Sequence, residues 1–191
     1  MTTVLEQASK YAESGLSVIP IRADGSKAPA VRWEQYQREI AGPHELERMF
    51  VNGCGIGIVA GRVSGNLEIL DFDNDRFYGL FLRAAESAGS KDLIEKLPMV
   101  KTPRGHHLYL RCDSGIAGNQ KLAQIVDDQQ KIKTVIETRG EGGYVLTVGS
   151  PATCHPSGKT YELECGDLLN IPVITAEERE FLLSTARSMN G

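Results

Sequence analysis

Two carboxylates at the end of an apolar run are the residues whose types and spacing most clearly suggest chemistry. Residues 67–75 read Leu-Glu-Ile-Leu-Asp-Phe-Asp-Asn-Asp, with acids at Asp71 and Asp73. If this run is a strand, both side chains lie on one face, with their Cα atoms about 6 to 7 Å apart. Close carboxylates repel each other, and Mg²⁺ or Mn²⁺ would neutralise them with suitable oxygen ligands. The spacing predicts a divalent-metal site, but it is also typical of a strand that ends in a solvated turn or helix cap.

Composition limits the class of protein. The chain has 191 residues, of which 41% are hydrophobic and 24% charged, so one ordinary globular domain is expected. It contains neither an apolar run near the ~20 residues of a membrane span nor a signal peptide, which predicts a cytoplasmic protein with no membrane partner. Because the net charge is −4, any nucleic-acid partner would have to be held by a local basic groove.

The cysteines favour neither a zinc ribbon nor a disulfide framework. Cys54, Cys112, Cys154 and Cys165 are scattered, without a Cys-x-x-Cys pair. The Cys154-His155 pair with Cys165 would supply three metal ligands, but buried or free thiols are the favoured interpretation.

Capping signals and apolar spacing predict four helices. They are a helix after the capping box Thr3-x-x-Glu6, one from Pro43 to Asn52-Gly53, one over 77–89 directly after the acids, and a last one after the capping box Thr175-x-x-Glu178. A short helix is also allowed over 122–126.

The remaining apolar runs predict strands. A buried strand is expected over 16–21, another over 108–110, and three hairpins at 55–60 with 67–73, 134–137 with 144–148, and 155–158 leading into 159–164. One α+β domain, with helices packed on a mostly antiparallel sheet, accounts for this order of elements.

Basic residues form a second group with potential chemistry. Residues 102–107 contain an arginine, a glycine and two histidines, which together favour phosphate. On a strand, His106 and His107 project to opposite faces, so only one of them can join the acids. Lys27 and Trp33 could contact a substrate, but a loop charge and a core anchor are the favoured interpretations.

The order of short motifs resembles one known family. In chain order the motifs are Gly15-Leu-x-Val-Ile-Pro-Ile, Lys27-x-Pro with Trp33, Gly55-Ile-Gly-Ile-Val-Ala-Gly, Asp71-x-Asp73, Thr102-Pro-x-Gly with His107-Leu-Tyr, Glu137-x-Arg-Gly-x-Gly-Gly-Tyr, Ser150-Pro151 and Ser157-Gly-Lys-x-Tyr. This series resembles the bifunctional primase/polymerase (prim-pol) domain of the archaeo-eukaryotic primase superfamily, which is common on plasmids, phages and integrated mobile elements.

The resemblance implies a fold, an activity and a site. The fold would be an RRM-like catalytic half with a smaller N-terminal α/β unit. The activity would be metal-dependent nucleotidyl transfer from NTPs or dNTPs on a single-stranded DNA template. By motif match, Asp71, Asp73 and Glu137 would be the catalytic ligands of a two-metal Mg²⁺ or Mn²⁺ site, and His107 would contact the triphosphate.

The resemblance also implies a partner region. In the family a helical accessory region, and often a helicase, follows the catalytic domain. Residues 1–191 are therefore expected to be a single catalytic domain excised from a longer replication protein. We expect it to extend primers but to start them poorly alone.

The chain departs from the family pattern at two positions. Glu137 stands where the family usually has aspartate, and Gly105 stands where it usually has serine. A backbone N–H at Gly105, with Arg104 beside it, could replace the lost hydroxyl as a phosphate contact. Arg139 and Lys159 are further candidates for contacts with nucleotide phosphates or template, with solvated surface charge as an equal alternative.

Two rival functions differ in what they require. A rolling-circle nicking endonuclease needs two histidines on one strand face and a nucleophilic tyrosine on a helix, whereas His106 and His107 are adjacent. A non-catalytic nucleotide- or nucleic-acid-binding module with a degenerate site is suggested by Glu137 and Gly105. Metal-dependent nucleotide incorporation would exclude it.

Overall fold

The computed structural model describes residues 2–51 and 53–190. Asn52, where the second helix is predicted to end, lies outside the described residues. The helices are α1 (Val4–Glu13), α2 (Pro43–Met49), α3 (Asp75–Ser87), α4 (Lys91–Glu95) and α5 (Ala176–Arg187). The strands are β1 (Ser17–Ile21), β2 (Gly55–Val59), β3 (Leu67–Phe72), β4 (Met99–Lys101), β5 (His106–Cys112), β6 (Lys121–Val126), β7 (Ile132–Arg139), β8 (Tyr144–Leu146), β9 (Glu162–Cys165) and β10 (Val173–Ile174).

The strands form two sheets. The small sheet has the order β1-β2-β8, and the large sheet has the order β6-β7-β3-β5-β4-β9, with β10 added parallel to β5. The other strand pairs are antiparallel. This architecture confirms the predicted α+β class, with a mostly antiparallel main sheet, packed helices and a smaller N-terminal unit.

The alternation of side chains along β3 places the large sheet between two cores. Leu67 and Ile69 point to the small sheet and join its apolar cluster. Leu70 and Phe72 point the other way and pack with the helices α3, α4 and α5. All four side chains are fully buried, and each contributes about 1.5–3 kcal/mol by leaving water. The strand that carries the acids is therefore held on both faces.

Helix ends follow the local signals in the sequence. Thr3 and Thr175 both form complete capping boxes at α1 and α5. The side chain of Asn74 caps α3, accepting a hydrogen bond from the Phe77 N–H at 3.1 Å. The short helix α4, which follows α3, is not among the predicted helices.

Two of the three predicted hairpins are wrong because their strands belong to different sheets. Strand β2 lies in the small sheet and β3 in the large one. The segment after β2 contacts β3 at the isolated bridge between Gly61 and Leu67. Strands β7 and β8 are divided in the same way. Turn residues between two apolar runs show that the chain changes direction, but they do not determine which sheet the next strand joins.

The third hairpin and the short helix over 122–126 are also wrong. Strand β9 pairs with β4, while residues Ala152–Cys154 form a turn of 3₁₀ helix. Residues Lys121–Val126 form edge strand β6, which makes a hairpin with β7. Pairing with β7 supplies backbone partners that outweigh the weak helical pattern of this segment.

The four cysteines are free thiols. Cys54, Cys112 and Cys154 are buried thiols and Cys165 is a half-buried one, each without a disulfide. Within residues 2–51 and 53–190, the helices are too short or too polar to span a bilayer.

Candidate active site

Strand β3 places the acids between two neighbouring strands. Asp71 lies opposite His107 on β5 and opposite Glu137 on β7. The pairing with β7 continues past the end of β3, since the Asp73 N–H donates to the Val135 carbonyl at 2.9 Å. The backbone register thus brings together the three acids that the motifs single out, Asp71, Asp73 and Glu137, which we term the acidic cluster.

The acidic cluster lines a cleft of about 470 Å³. Leu67 and Ile69, on the same face of β3 as Asp71, are covered by the small sheet. The cleft begins further along β3, where the small sheet no longer covers this face. The other side of the cleft carries residues from the N-terminal unit and β8, including Lys27, Trp33 and Tyr144. A cleft of this size, with polar groups directed into it, is typical of a small-molecule site.

Basic side chains contact each member of the acidic cluster. The Arg139 guanidinium contacts Glu137 and lies 3.5 Å from an Asp71 oxygen. The Arg104 guanidinium lies 2.8 Å from Asp73 Oδ2, and Lys133 Nζ lies 3.6 Å from the same oxygen. The site therefore combines carboxylates with cations able to bind phosphate.

The pKa values of two of the acids are shifted in opposite directions. Burial raises the pKa of the Glu137 carboxyl above its ordinary value; Arg139 opposes the rise, while the charges of Asp71 and Asp73 add to it. Burial also acts to raise the pKa of Asp71, but His107 and Arg139 outweigh it, so the net shift is downward. The acidic cluster is thus close enough for its charges to interact.

The donor chemistry of the acidic cluster fits Mg²⁺ or Mn²⁺, since all three members offer carboxylate oxygens on one face. In the described part of the chain, however, no group of three His, Cys, Asp or Glu side chains lies close enough together to coordinate a metal ion. Arg139 contacts Asp71 and Glu137 where a cation would be expected. A metal ion could bind at these carboxylates only if the Arg139 guanidinium moved away from them.

The two adjacent histidines lie on opposite faces, as predicted. His107 Nε2 lies 3.5 Å from Asp71 Oδ1, and its Nδ1 lies 3.4 Å from the hydroxyl of buried Tyr109. His106 stacks on Tyr78 on the helix side of the sheet, with ring centroids 3.7 Å apart. The histidine pair of a nicking endonuclease is therefore not formed by His106 and His107.

Gly105 has a structural role that the sequence did not reveal. A Cβ atom at this position would lie 1.9 Å from the Phe72 carbonyl oxygen, so only glycine allows the start of β5 this close to β3. The Gly105 N–H donates to Thr102 Oγ1 at 2.9 Å. The predicted use of this N–H as a phosphate donor conflicts with that hydrogen bond.

Lys159 lies apart from the other candidates. It lines a separate shallow depression with Lys101 and Pro103, next to the cleft. Arg104, Arg139 and the acidic cluster line the cleft itself. Lys159 is therefore better placed for an extended ligand than for a group bound at the acidic cluster.

Several cleft residues were not predicted as site residues. The sequence favours structural roles for Lys27 and Trp33, and it marks His155 only as part of the disfavoured metal set with two cysteines. Asn119 and Tyr144 are not predicted site residues, yet all five line the cleft. The motif order contained a signal for Lys27, Trp33 and Tyr144, since each belongs to one of the short motifs. Nothing in the sequence pattern marked Asn119, which reaches the cleft because its loop packs beside residues 140–143.

Taken together, the fold and the cleft define an α+β protein with an acidic, cation-lined site on the central strands of its main sheet. The family model described as bifunctional DNA primase/polymerase, N-terminal, matches residues 8–176, and the chain belongs to this prim-pol family. No curated protein matches the chain. One similar solved structure, the catalytic domain of primase Repb' in complex with initiator DNA, is 16% identical with a TM-score of 0.46, and the match covers 97% of this chain and 94% of that chain.

Proposed function

We propose that the chain is a metal-dependent nucleotidyltransferase that acts as a DNA primase and polymerase in the replication of a plasmid, phage or other mobile element. The observation that carries this proposal is the register that places Glu137 and His107 on either side of Asp71 at the base of the cleft. Membership of the prim-pol family supports it.

In such a reaction, a primer 3′-hydroxyl attacks the α-phosphate of a nucleotide and pyrophosphate leaves. Asp71, Asp73 and Glu137 would hold the ions. Mg²⁺ or Mn²⁺, when bound as a pair, would stabilise negative charge on the attacking and leaving oxygens. Asp71 and Glu137 lie on strands, and the Asp73 N–H is hydrogen-bonded to the Val135 carbonyl just past the end of β3. Their backbone positions are therefore defined before substrate arrives.

The basic side chains would bind and orient the triphosphate. Arg139 and Arg104 contact the acidic cluster and can exchange those contacts for phosphate oxygens, which form strong charge-assisted hydrogen bonds. His107, which adjoins Asp71, would contact the same phosphates. His107 on β5 and Arg139 on β7 flank β3 from opposite sides, so the phosphates would be held from both sides of Asp71.

A second candidate function is a nucleotide-binding module without catalysis. It is favoured by one observation, that Arg139 contacts both Asp71 and Glu137 and so neutralises the acids without a metal. If Arg139 keeps this position when nucleotide binds, the acids cannot take up an ion. Metal-dependent incorporation separates the two functions.

The test is primer extension with Mg²⁺ or Mn²⁺, with NTPs compared with dNTPs. Asp71→Asn and Asp73→Asn should each reduce incorporation by about 100-fold or more, because several kcal/mol of charge stabilisation are lost. Asp75→Asn is a matched control, since Asp75 pairs with Lys101 and His106 instead of the acidic cluster. Near wild-type extension by the Asp71→Asn, Asp73→Asn double variant would show that the metal assignment is wrong.

The proposed partners are single-stranded template DNA and a C-terminal helical or helicase region. With a net charge of −4, the chain neutralises few template phosphates, so template affinity should be low and sensitive to salt. Starting a primer requires two nucleotides and a template to be ordered without a duplex, which costs more entropy than extension. We propose that residues 1–191 extend primers well and start them poorly.

Primed and unprimed single-stranded DNA, compared at two salt concentrations, test this proposal. Efficient synthesis on unprimed DNA in moderate salt would contradict the proposed need for a partner region. The polymerase assignment would be unaffected by that result.

A further inference from the structure

Trp33 and Tyr144 form an aromatic pair that lines the cleft from the side of the small sheet. Their ring centroids are 5.0 Å apart with an interplanar angle of 72°. Both rings are half-buried, because one side packs on the apolar cluster of the small sheet and the other side reaches the cleft. Aromatic rings that are rigidly packed and also exposed to a cleft are suited to stacking on a planar ligand.

Lys27 connects this aromatic pair to the charged part of the cleft. The Tyr144 hydroxyl donates to the Lys27 carbonyl at 2.9 Å, which ties the loop that contains Lys27 to β8. Lys27 adopts a φ of 62°, in the left-handed region that residues other than glycine seldom occupy. A residue keeps such a conformation only where the surrounding structure holds it in place.

Lys27 lines the same cleft as the aromatic pair and the acidic cluster. Burial lowers its pKa, and Arg104 adds to this effect, while Asp71 and Asp73 oppose it. The ammonium group therefore lies within the electrostatic reach of the acids and of the arginines beside them. Lys27, Arg104, Arg139 and the aromatic pair therefore line one cleft with the acidic cluster.

We propose that the Trp33–Tyr144 pair binds the base of the incoming nucleoside triphosphate, with one ring stacked on the base and the other ring, at 72° to the first, against its edge, and with the phosphates lying near Lys27 and the acidic cluster. This inference rests on the proposed function and specifies how its substrate is held. Stacking uses the π-face that every base has, so the contact accepts all four bases and leaves their selection to the template.

The incoming nucleotide is favoured over the template for two reasons. The aromatic pair lines the same cleft as Arg104, Arg139 and the acidic cluster, so a ligand whose base lies at the pair can place its phosphates among these cations. The cleft of about 470 Å³ is also of a size to hold one small ligand. A template strand would instead extend past the cleft along the surface.

Trp33 is the only tryptophan of the chain, so its fluorescence reports directly on this contact. Titration with dATP in Mg²⁺ and without primer should quench the emission of Trp33. Tripolyphosphate, which has no base, should bind but quench much less. The same titration with a ten-nucleotide oligo(dT) tests whether template DNA occupies the aromatic pair.

Two substitutions separate the ring from the hydroxyl of Tyr144. Tyr144→Leu removes the aromatic ring and should weaken dATP binding about tenfold. Binding of tripolyphosphate, which has no base, should stay unchanged. Tyr144→Phe keeps the ring and should bind dATP within about threefold of wild type. If Tyr144→Leu does not fold, Trp33→Leu measured by titration calorimetry should show the same loss for dATP.

The outcomes distinguish this inference from the proposed function. If wild type binds dATP and both leucine variants bind it equally well, the aromatic pair is not the base site, although the nucleotidyltransferase proposal stands. If Tyr144→Leu weakens oligo(dT) binding but leaves dATP binding unchanged, the pair contacts template and the inference is overturned. If wild type binds no nucleotide at all, both proposals fail.

Discussion

Asp71 and Glu137 are direct cross-strand partners on β3 and β7. They are separated by 66 positions in the sequence, and the antiparallel register of the large sheet brings them to the same face. Their charges interact. Burial raises the pKa of Glu137, Arg139 opposes this rise, and the negative charge of Asp71 adds to it. A cation placed at this pair would relieve that repulsion, which is the physical basis of the metal site that we propose.

The length of the third acid gives the first prediction. Glu137→Gln should reduce nucleotide incorporation by about 100-fold or more, because a charged ligand opposite Asp71 is lost. Glu137→Asp should keep activity, since the family usually has aspartate at this position. Primer extension rates measure both. An equal loss in the two variants would show that the longer side chain is itself required.

His107 provides the second prediction. His107→Ala should weaken nucleotide binding by about tenfold, the value of a hydrogen bond to a charged group, and weaken DNA binding less. Separate titrations with a dNTP and with single-stranded DNA measure the two affinities. His44→Ala is the control, because His44 lies exposed on α2. Unchanged dNTP affinity in His107→Ala would remove the proposed phosphate contact.

Restoring the usual family residue at Gly105 gives the third prediction. Gly105→Ser should lower stability by about 1–3 kcal/mol or more, because its Cβ would meet the Phe72 carbonyl oxygen at 1.9 Å. Gly115→Ser is the matched control, since nothing lies within 4 Å of a Cβ there. Thermal unfolding compares the two. A stable Gly105→Ser variant with tighter nucleotide binding would show that β3 and β5 can separate at this point.

The buried ion pair between β3 and α5 gives the fourth prediction. Glu68 is completely buried and pairs with Arg179, whose Nη2 lies 2.8 Å from Glu68 Oε1. Arg179→Met should destabilise the fold by about 3–5 kcal/mol, because it leaves a buried carboxylate without its partner. Arg187→Met, which breaks an exposed pair on the same helix, should cost less than about 1 kcal/mol.

Denaturant unfolding measures these differences in stability. Combining Glu68→Leu with Arg179→Met should recover much of the loss, since replacing both partners removes the uncompensated charge. A double variant as unstable as Arg179→Met would show that the loss comes from packing at α5 rather than from charge.

Features that depend on neighbouring residues were predicted correctly from the sequence. The period of two in a strand placed Asp71 and Asp73 on one face and His106 and His107 on opposite faces. The capping boxes at Thr3 and Thr175 located two helices. The order of the motifs also identified the family. These signals are local, or are read in chain order, and need no knowledge of which segments meet.

The tertiary structure alone decided which strands pair and what lies across the cleft. The division of β2 from β3 and of β7 from β8 cannot be inferred from their turns, because pairing depends on distant segments that compete for the same strand edge. For the same reason, the sequence did not show that Lys27, Trp33 and Tyr144 line the cleft. Side chains separated by over 100 positions meet there because the small sheet packs on the large one, and only that packing places them opposite the acids.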